Sequence, residues 1–172
     1  MDNMPTTRKW SELRGLAVVT LAGGKKVGTC DDFYFVPSSQ NIYALRVKTG
    51  LLARKGLLVA NIEAVGQDAI TTASEETLWN ESEDEHIATL PPGQSLLSYK
   101  IMSASGTLVG SVGDMLIDTG SPKALRVSAF ELSGGLRERI SGNYPTFSAA
   151  QVTSYGQDVL IIPDEVAQSL QR

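Results

Sequence analysis

Gly24-Lys25-Lys26-Val27-Gly28-Thr29-Cys30-Asp31-Asp32 and Gly106-Thr107-Leu108-Val109-Gly110-Ser111-Val112-Gly113-Asp114 carry one pattern, G-x-x-V-G-[TS]-x-x-D, twice in a chain of 172 residues. Two further blocks follow each copy in the same order. Ala44-Leu45-Arg46-Val47 returns unchanged as Ala124-Leu125-Arg126-Val127, and Gly66-Gln67-Asp68 returns as Gly156-Gln157-Asp158, each time ahead of a short apolar run. Three blocks in one order mark an internal repeat. The spacing between blocks differs only where turns and loops absorb changes of length.

Outward from these blocks, each copy reads as short strands punctuated by Gly, Ser, Asn and Pro. In the first copy, strands are expected over 15–21, 26–36, 42–49, 56–60 and 68–72, with a hairpin turn at 22–25 and a longer turn at 37–41. Alternation places Val27, Phe33 and Phe35 on one side of their strand, and Tyr43, Leu45 and Val47 on one side of the next. Val109, Met115 and Ile117, then Leu125 and Val127, obey the same rule in the second copy. Segments 61–65 and 148–152 each suit one helical turn, and 163–170 suits a terminal helix that starts at Pro163 or Asp164. A unit of about 60–75 residues is too small for a two-sheet sandwich, and a curled sheet closing on itself buries its apolar face better. The predicted fold is therefore all-β: two tandem small antiparallel β-barrels with short helical turns and a short C-terminal helix. Repeat 1 covers 12–73, an acidic linker 74–93, and repeat 2 94–170. Trp10 is expected to plug a barrel end, and Trp79 to tuck from the linker onto a barrel.

Composition narrows the function. With 42% apolar and 20% charged residues, the chain has the make-up of a globular protein. No apolar run approaches the roughly 20 residues of a membrane span, and the polar start Met1–Lys9 carries no signal core. Those two features predict a cytoplasmic protein without membrane insertion. The single Cys and single His leave no ligand set for zinc, so no metal or cofactor is expected. His86 falls in the acidic run Glu81–His86, where solvent rather than a walled pocket is expected, and Cys30 reads as a small strand residue. No catalytic set emerges. Net charge is −4, unevenly spread: residues 8–72 hold 9 basic and 5 acidic side chains, residues 73–90 hold 6 acidic and none basic, and residues 91–162 hold 5 of each. A mildly basic half without a dense Lys/Arg cluster argues against direct nucleic-acid binding.

The order of an opening strand, V-G-[TS]-x-x-D, an A-L-R-V strand, and a short turn into V-G-Q-D or its equivalent resembles the PRC-barrel domain. That family includes the cytoplasmic domain of the photosynthetic reaction centre H subunit and the C-terminal domain of the RimM-type ribosome-maturation factor. The resemblance covers residues 12–73 and 94–163 and implies a small β-barrel that docks onto partner proteins, with no catalytic set shared across the family. The chain lacks the transmembrane helix of the first relative and a match to the N-terminal domain of the second. A non-enzymatic protein-interaction or scaffold module is the expected function, with an RNA-processing or ribosome-associated assembly factor as the alternative. The protein partner is not readable, and self-association is the simplest version.

Two sets of residues stand out. Asp32 with Arg46, and Asp114 with Arg126, are expected to form cross-strand ion pairs facing away from the apolar side, structural rather than catalytic. Gly28 and Gly110 are expected to mark a bulge or a close backbone approach rather than a phosphate loop, because a strand follows the Gly-rich segment. The docking candidates are Leu51, Leu52, Arg54 and Lys55 in the first copy, with Arg137, Arg139 and Tyr144 in the longer equivalent loop of the second. Apolar side chains on a loop must be covered, either within the chain or by a partner.

Overall fold

The computed structural model describes residues 6–134, 140–142 and 144–170. Two units make up the chain, one of residues 1–94 with 117–126, the other of residues 95–116 with 127–172. No helix among the described residues is long and apolar enough to cross a membrane.

In the first unit the chain runs through β1 (Thr7–Lys9), α1 (Trp10–Leu13), β2 (Ala17–Thr20), β3 (Lys25–Val36), β4 (Asn41–Lys48), β5 (Arg54–Leu58), β6 (Ile62–Val65), β7 (Ala69–Thr72) and β8 (Leu78–Trp79). These strands, β1 aside, lie in the order β8-β5-β4-β3-β2-β7-β6 in a curled sheet. The β2–β3 hairpin turns where expected, because Gly23 and Gly24 take φ of 86° and 59°, a region closed to most side chains. Phe33, Phe35, Leu45, Val47, Leu57, Ile62 and Ile70 are all buried. Trp10 is buried with them, edge-on to Phe33 at 4.8 Å.

Three expectations need correction here. First, the sheet is mixed: β2 and β7 pair in parallel, Ala17 opposite Ala69 through Thr20 opposite Thr72. A parallel pair needs a long connection, and the whole β3–β6 segment supplies it. Second, the helical turn comes earlier than 61–65, as a 3-10 turn at Val59–Asn61, and Ile62–Val65 is a strand. Third, the stretch expected as a linker, 74–93, is part of the first unit. β8 pairs with β5, Leu78 and Ile87 are buried, and Ile87 packs with Tyr34 and Ala44 in a cluster that Trp79 and Leu90 flank. The physical reason lies in strand lengths. β3 is 12 residues long and β2 only 4, so β2 satisfies one edge of β3 only as far as Thr29. Residues 91–94 take over the remaining edge: Pro92 bridges to Tyr34, the Phe35 N–H donates to the Pro91 carbonyl, and the Gln94 N–H donates to Asp32 Oδ1 at 2.9 Å.

The alternation expected along β3 is interrupted by bulges. Between Lys26 and Gly28, Val27 is an extra residue against Val18 and Val19, and it is only half-buried. Between Cys30 and Asp32, Asp31 is extra against Val47 and Arg46. Each extra residue reverses which side the following side chains face. A Cβ on Gly28 would lie 2.5 Å from the Lys48 carbonyl oxygen and 2.6 Å from Val47 Cγ1, so this glycine marks a close approach as well as a bulge.

The second unit contains β9 (Lys100–Ser103), most of β10 (Leu108–Asp118) and of β11 (Arg126–Leu132), then β12 (Thr146–Ser148), β13 (Ser154–Tyr155), β14 (Val159–Ile162) and α2 (Asp164–Leu170). The order is β13-β14-β9-β10-β11-β12, and β14 runs parallel to β9, with Leu160 opposite Ile101. Val109 is the extra residue of a bulge between Leu108 and Gly110. A 3-10 turn at Ala149–Gln151 starts with a capping box: the Ser148 side chain accepts the Ala150 N–H, while Gln151 Oε1 accepts the Ser148 N–H. Ile101, Met115, Val127, Phe130, Leu160 and Ile162 form the buried set. α2 begins at Asp164, whose Oδ1 accepts both the backbone N–H and the hydroxyl of Ser105 at 3.0 Å.

Candidate functional site

The β4–β5 hairpin positions the first group of docking candidates. Lys48 stands opposite Arg54, and the Thr49 N–H donates to the Ala53 carbonyl at 2.9 Å, so residues 49–53 are closed into a tight loop. Leu51 and Leu52 at its tip are 88% and 93% exposed, the most exposed large apolar side chains among the described residues. Burying one such leucine is worth about 1.5–3 kcal/mol. Cations surround the tip. Arg54 is half-exposed, with Nε 4.0 Å from Asp31 Oδ2. Lys55 lines a shallow cleft of about 320 Å³ with Lys25, Lys26, Val27, Thr49, Glu75 and Leu78, and Lys26 and Lys48 line a neighbouring one with Gly50. Within that basic rim Glu75 pairs with Lys25 at 2.5 Å. This ion pair holds the exposed Glu75 carboxyl below the usual carboxylate range.

Of the second-copy candidates, Tyr144 is half-buried in the second unit, whereas Arg137 and Arg139 lie outside the described residues.

The opposite end of the same hairpin carries a groove of about 480 Å³, walled by Ile42, Tyr43, Leu58, Val59 and Leu125, with Lys123 at its edge. Lys123 Nζ donates to the Ala60 carbonyl at 3.2 Å and to Glu63 Oε1 at 3.3 Å. Leu58 also borders a second hollow, of about 500 Å³, lined by Trp79, Glu83, Asp84, Glu85 and His86. The Tyr43 hydroxyl donates to Asp84 Oδ2 at 2.8 Å, and the Tyr43 ring meets His86 edge-on at 4.7 Å. That hydrogen bond holds the Asp84 carboxyl low. His86 is exposed, as the acidic composition around it implies. Sequence reasoning missed this groove, because its walls come from strand ends far apart in the chain.

The expected Asp32–Arg46 pair forms across β3 and β4, but the bulge at Asp31 brings a second carboxylate closer to the guanidinium, and the expected Asp114–Arg126 pair does not form. Arg46 binds Asp31 first, through Nε at 3.0 Å and Nη2 at 2.8 Å, and reaches Asp32 Oδ2 only at 3.6 Å. Asp32 is buried, and its Oδ1 accepts the N–H groups of Phe33 and Gln94. Burial pushes the Asp32 carboxyl above the usual range, against the pull of those two donors and of Arg46. Asp114 is likewise buried, with Oδ1 accepting the Met115 N–H at 2.8 Å. Arg126 is exposed and makes no ion pair among the described residues; its backbone pairs with Asn41.

Cys30 is a buried free thiol. Burial, with help from Asp32 and Asp31, pushes its pKa up to about 12, which leaves almost no thiolate at neutral pH. At pH 8 a thiol-specific reagent is expected to leave the native protein untouched and to label it fully in denaturant. Labelling of the native protein at the rate of a free cysteine would contradict this placement.

The model for the PRC-barrel domain matches residues 5–78, within the first unit. A PRC-barrel domain is found at these residues. Nothing among curated proteins matches the chain. The matched PRC-barrel region takes in β1 to β7 and Leu78, the first residue of β8, so the Leu51–Lys55 loop and the Asp31–Asp32–Arg46 cluster lie within it. The match does not extend into the second copy expected from the repeat. Three cations and two leucines at one end of the β4–β5 hairpin, with Lys25 and Lys26 of β3 beside them, offer binding chemistry within the PRC-barrel region.

Proposed function

We propose that this protein is a non-enzymatic, cytoplasmic protein-interaction or scaffold module built from two PRC-like barrels, and that the Leu51–Lys55 loop is its docking surface. The exposure of Leu51 and Leu52 on a loop already closed by hydrogen bonding carries this reading. A preordered apolar tip loses little entropy on binding. The two-barrel reading has support from the matching internal construction of the units. In each, the valine of the repeated pattern is a bulge residue, and its aspartate accepts the next residue's N–H at 2.8 Å. In each, the G-Q-D turn closes by the glycine N–H donating to the carbonyl three residues on, and the strand that follows pairs in parallel, β7 with β2 and β14 with β9.

The test is affinity capture from the native organism with wild-type protein and a Leu51→Asp/Leu52→Asp variant of equal thermal stability. Loss of the captured partner in the variant is expected. Unchanged capture would remove the loop from the function. The five cations around the tip favour a second reading, an RNA- or ribosome-associated assembly factor. That reading requires binding to RNA that falls steeply with salt, by about 0.7 in log K per log salt for each phosphate neutralised.

A further inference from the structure

Resting on the docking reading above, we infer that the occupant is a second copy of this chain: the Leu51–Leu52 tip of one copy seats in the groove at the far end of the β4–β5 hairpin of another. The two surfaces match in three respects. The tip offers two bare leucines, and the groove offers about 480 Å³ walled mainly by Ile42, Leu58, Val59 and Leu125, within the size range in which proteins hold small apolar groups. Cations surround the tip, at Lys48, Arg54 and Lys55, whereas the groove continues past Leu58 to Glu83, Asp84 and Glu85. Of the six acidic side chains of residues 73–90, Glu83, Asp84 and Glu85 line this border, whereas Glu75 sits in the basic rim beside Lys25. Opposite charges at the rim steer and register such a contact.

Placement makes the contact intermolecular. The tip follows Lys48, and the groove takes Ile42 and Tyr43 from the other end of β4, opposite the Leu58 end of β5. At about 3.3 Å per residue, the five residues from Lys48 to Tyr43 separate tip and groove by roughly 17 Å. A copy therefore cannot fill its own groove. Tip-to-groove contact either closes reciprocally, each tip in the other copy's groove of a two-fold pair, or runs head to tail and grows into a ring or an open chain. An anionic lipid surface would also attract a basic tip with two leucines, but it would leave the groove and its acidic border without a role, and the chain's net charge is −4.

Sedimentation velocity on the purified full chain tests the inference. The wild type is expected to associate increasingly with concentration and to dissociate as salt screens the rim. Leu51→Asp/Leu52→Asp should weaken association by roughly tenfold or more, and Glu83→Lys/Glu85→Lys should weaken it as well. The deciding measurement mixes these two variants, each shown by circular dichroism and melting to be folded. The first retains a groove and the second a tip, so the mixture should form one-to-one pairs and stop there. A wild type that stays monomeric at high concentration, association that the loop variant leaves intact, or a mixture that forms no pair would each overturn self-docking. So would wild-type binding to vesicles of an anionic lipid, lost in the loop variant, without self-association. If self-docking fails while the loop variant still loses a captured cellular partner, the docking reading stands alone; if the variant changes neither, both fall.

Discussion

Replacing Gly93 by alanine is expected to lower the unfolding free energy of the first unit by about 3 kcal/mol, at the upper end of what a forced extra methyl costs in a packed interior. A Cβ on Gly93 would overlap Cζ, Cε1 and Cε2 of Phe33. The ring has nowhere to retreat, because Phe33 has no exposed surface and Trp10 stands edge-on against it at 4.8 Å. Relief must come from the backbone of residues 91–94 moving off the edge of β3. That movement breaks the Gln94 N–H bond to Asp32 and the Phe35 N–H bond to Pro91, and it leaves the buried Asp32 carboxylate short of a donor. At roughly 2–4 °C per kcal/mol, the melting temperature should fall by about 6–12 °C. Gly50→Ala provides the contrast, since its Cβ would meet only Ala53 Cβ at an ordinary 3.6 Å. Thermal melts of both variants decide the matter. A Gly93→Ala loss below about 1 kcal/mol would mean that segment 91–94 is not fixed against β3 as described.

The same segment shows where sequence reasoning stops. Strand positions in the first unit were legible from apolar runs and Gly or Pro punctuation, and β2, β3, β4, β5 and β7 overlap the expected spans. The packing of 74–93 against its own unit was legible only at Trp79. Its acidic residues dominate the composition, and the apolar residues that pack, Leu78, Trp79, Ile87 and Leu90, are scattered among them. Side-chain directions in β3 were misread because alternation assumes an unbroken ladder. Val27 and Asp31 are extra residues, and nothing in the local sequence distinguishes a bulged valine or aspartate from a paired one. Strand direction was equally hidden, since an apolar run at 69–72 looks the same whether it pairs parallel or antiparallel with β2. Leu51 and Leu52 could be recognised as needing a cover. Only coordinates reveal that the described chain leaves them bare.

Arg46→Ala is expected to cost about 2–3 kcal/mol, against the few tenths that an exposed cross-strand pair would imply. Breaking a fully buried pair by removing one partner costs about 3–5 kcal/mol, and the 19–20% exposure of the Arg46 and Asp31 side chains reduces that figure here. The variant leaves Asp31 and Asp32 as adjacent carboxylates, one of them buried, with only the half-exposed Arg54 at 4.0 Å from Asp31 as a cation. Its pH dependence carries the signature. Burial already raises the Asp32 carboxyl in the folded protein, and Arg46 holds it down; without Arg46 it rises further. A folded-state pKa above the unfolded value of about 3.9 means that the native form binds the proton more tightly. Stability of the variant relative to wild type should therefore rise as pH falls through the folded-state pKa, and the gain is complete below the unfolded value. Asp84, Glu75 and Asp164 shift the opposite way, but they do so in both proteins and cancel in the difference. Adding Asp32→Asn to Arg46→Ala should recover part of the loss near neutral pH and flatten the dependence, since the amide needs no cation. Urea melts between pH 4 and 8 on the four proteins of this cycle measure both terms. A loss from Arg46→Ala that is small and independent of pH would return the pair to the surface role that alternation alone assigns it.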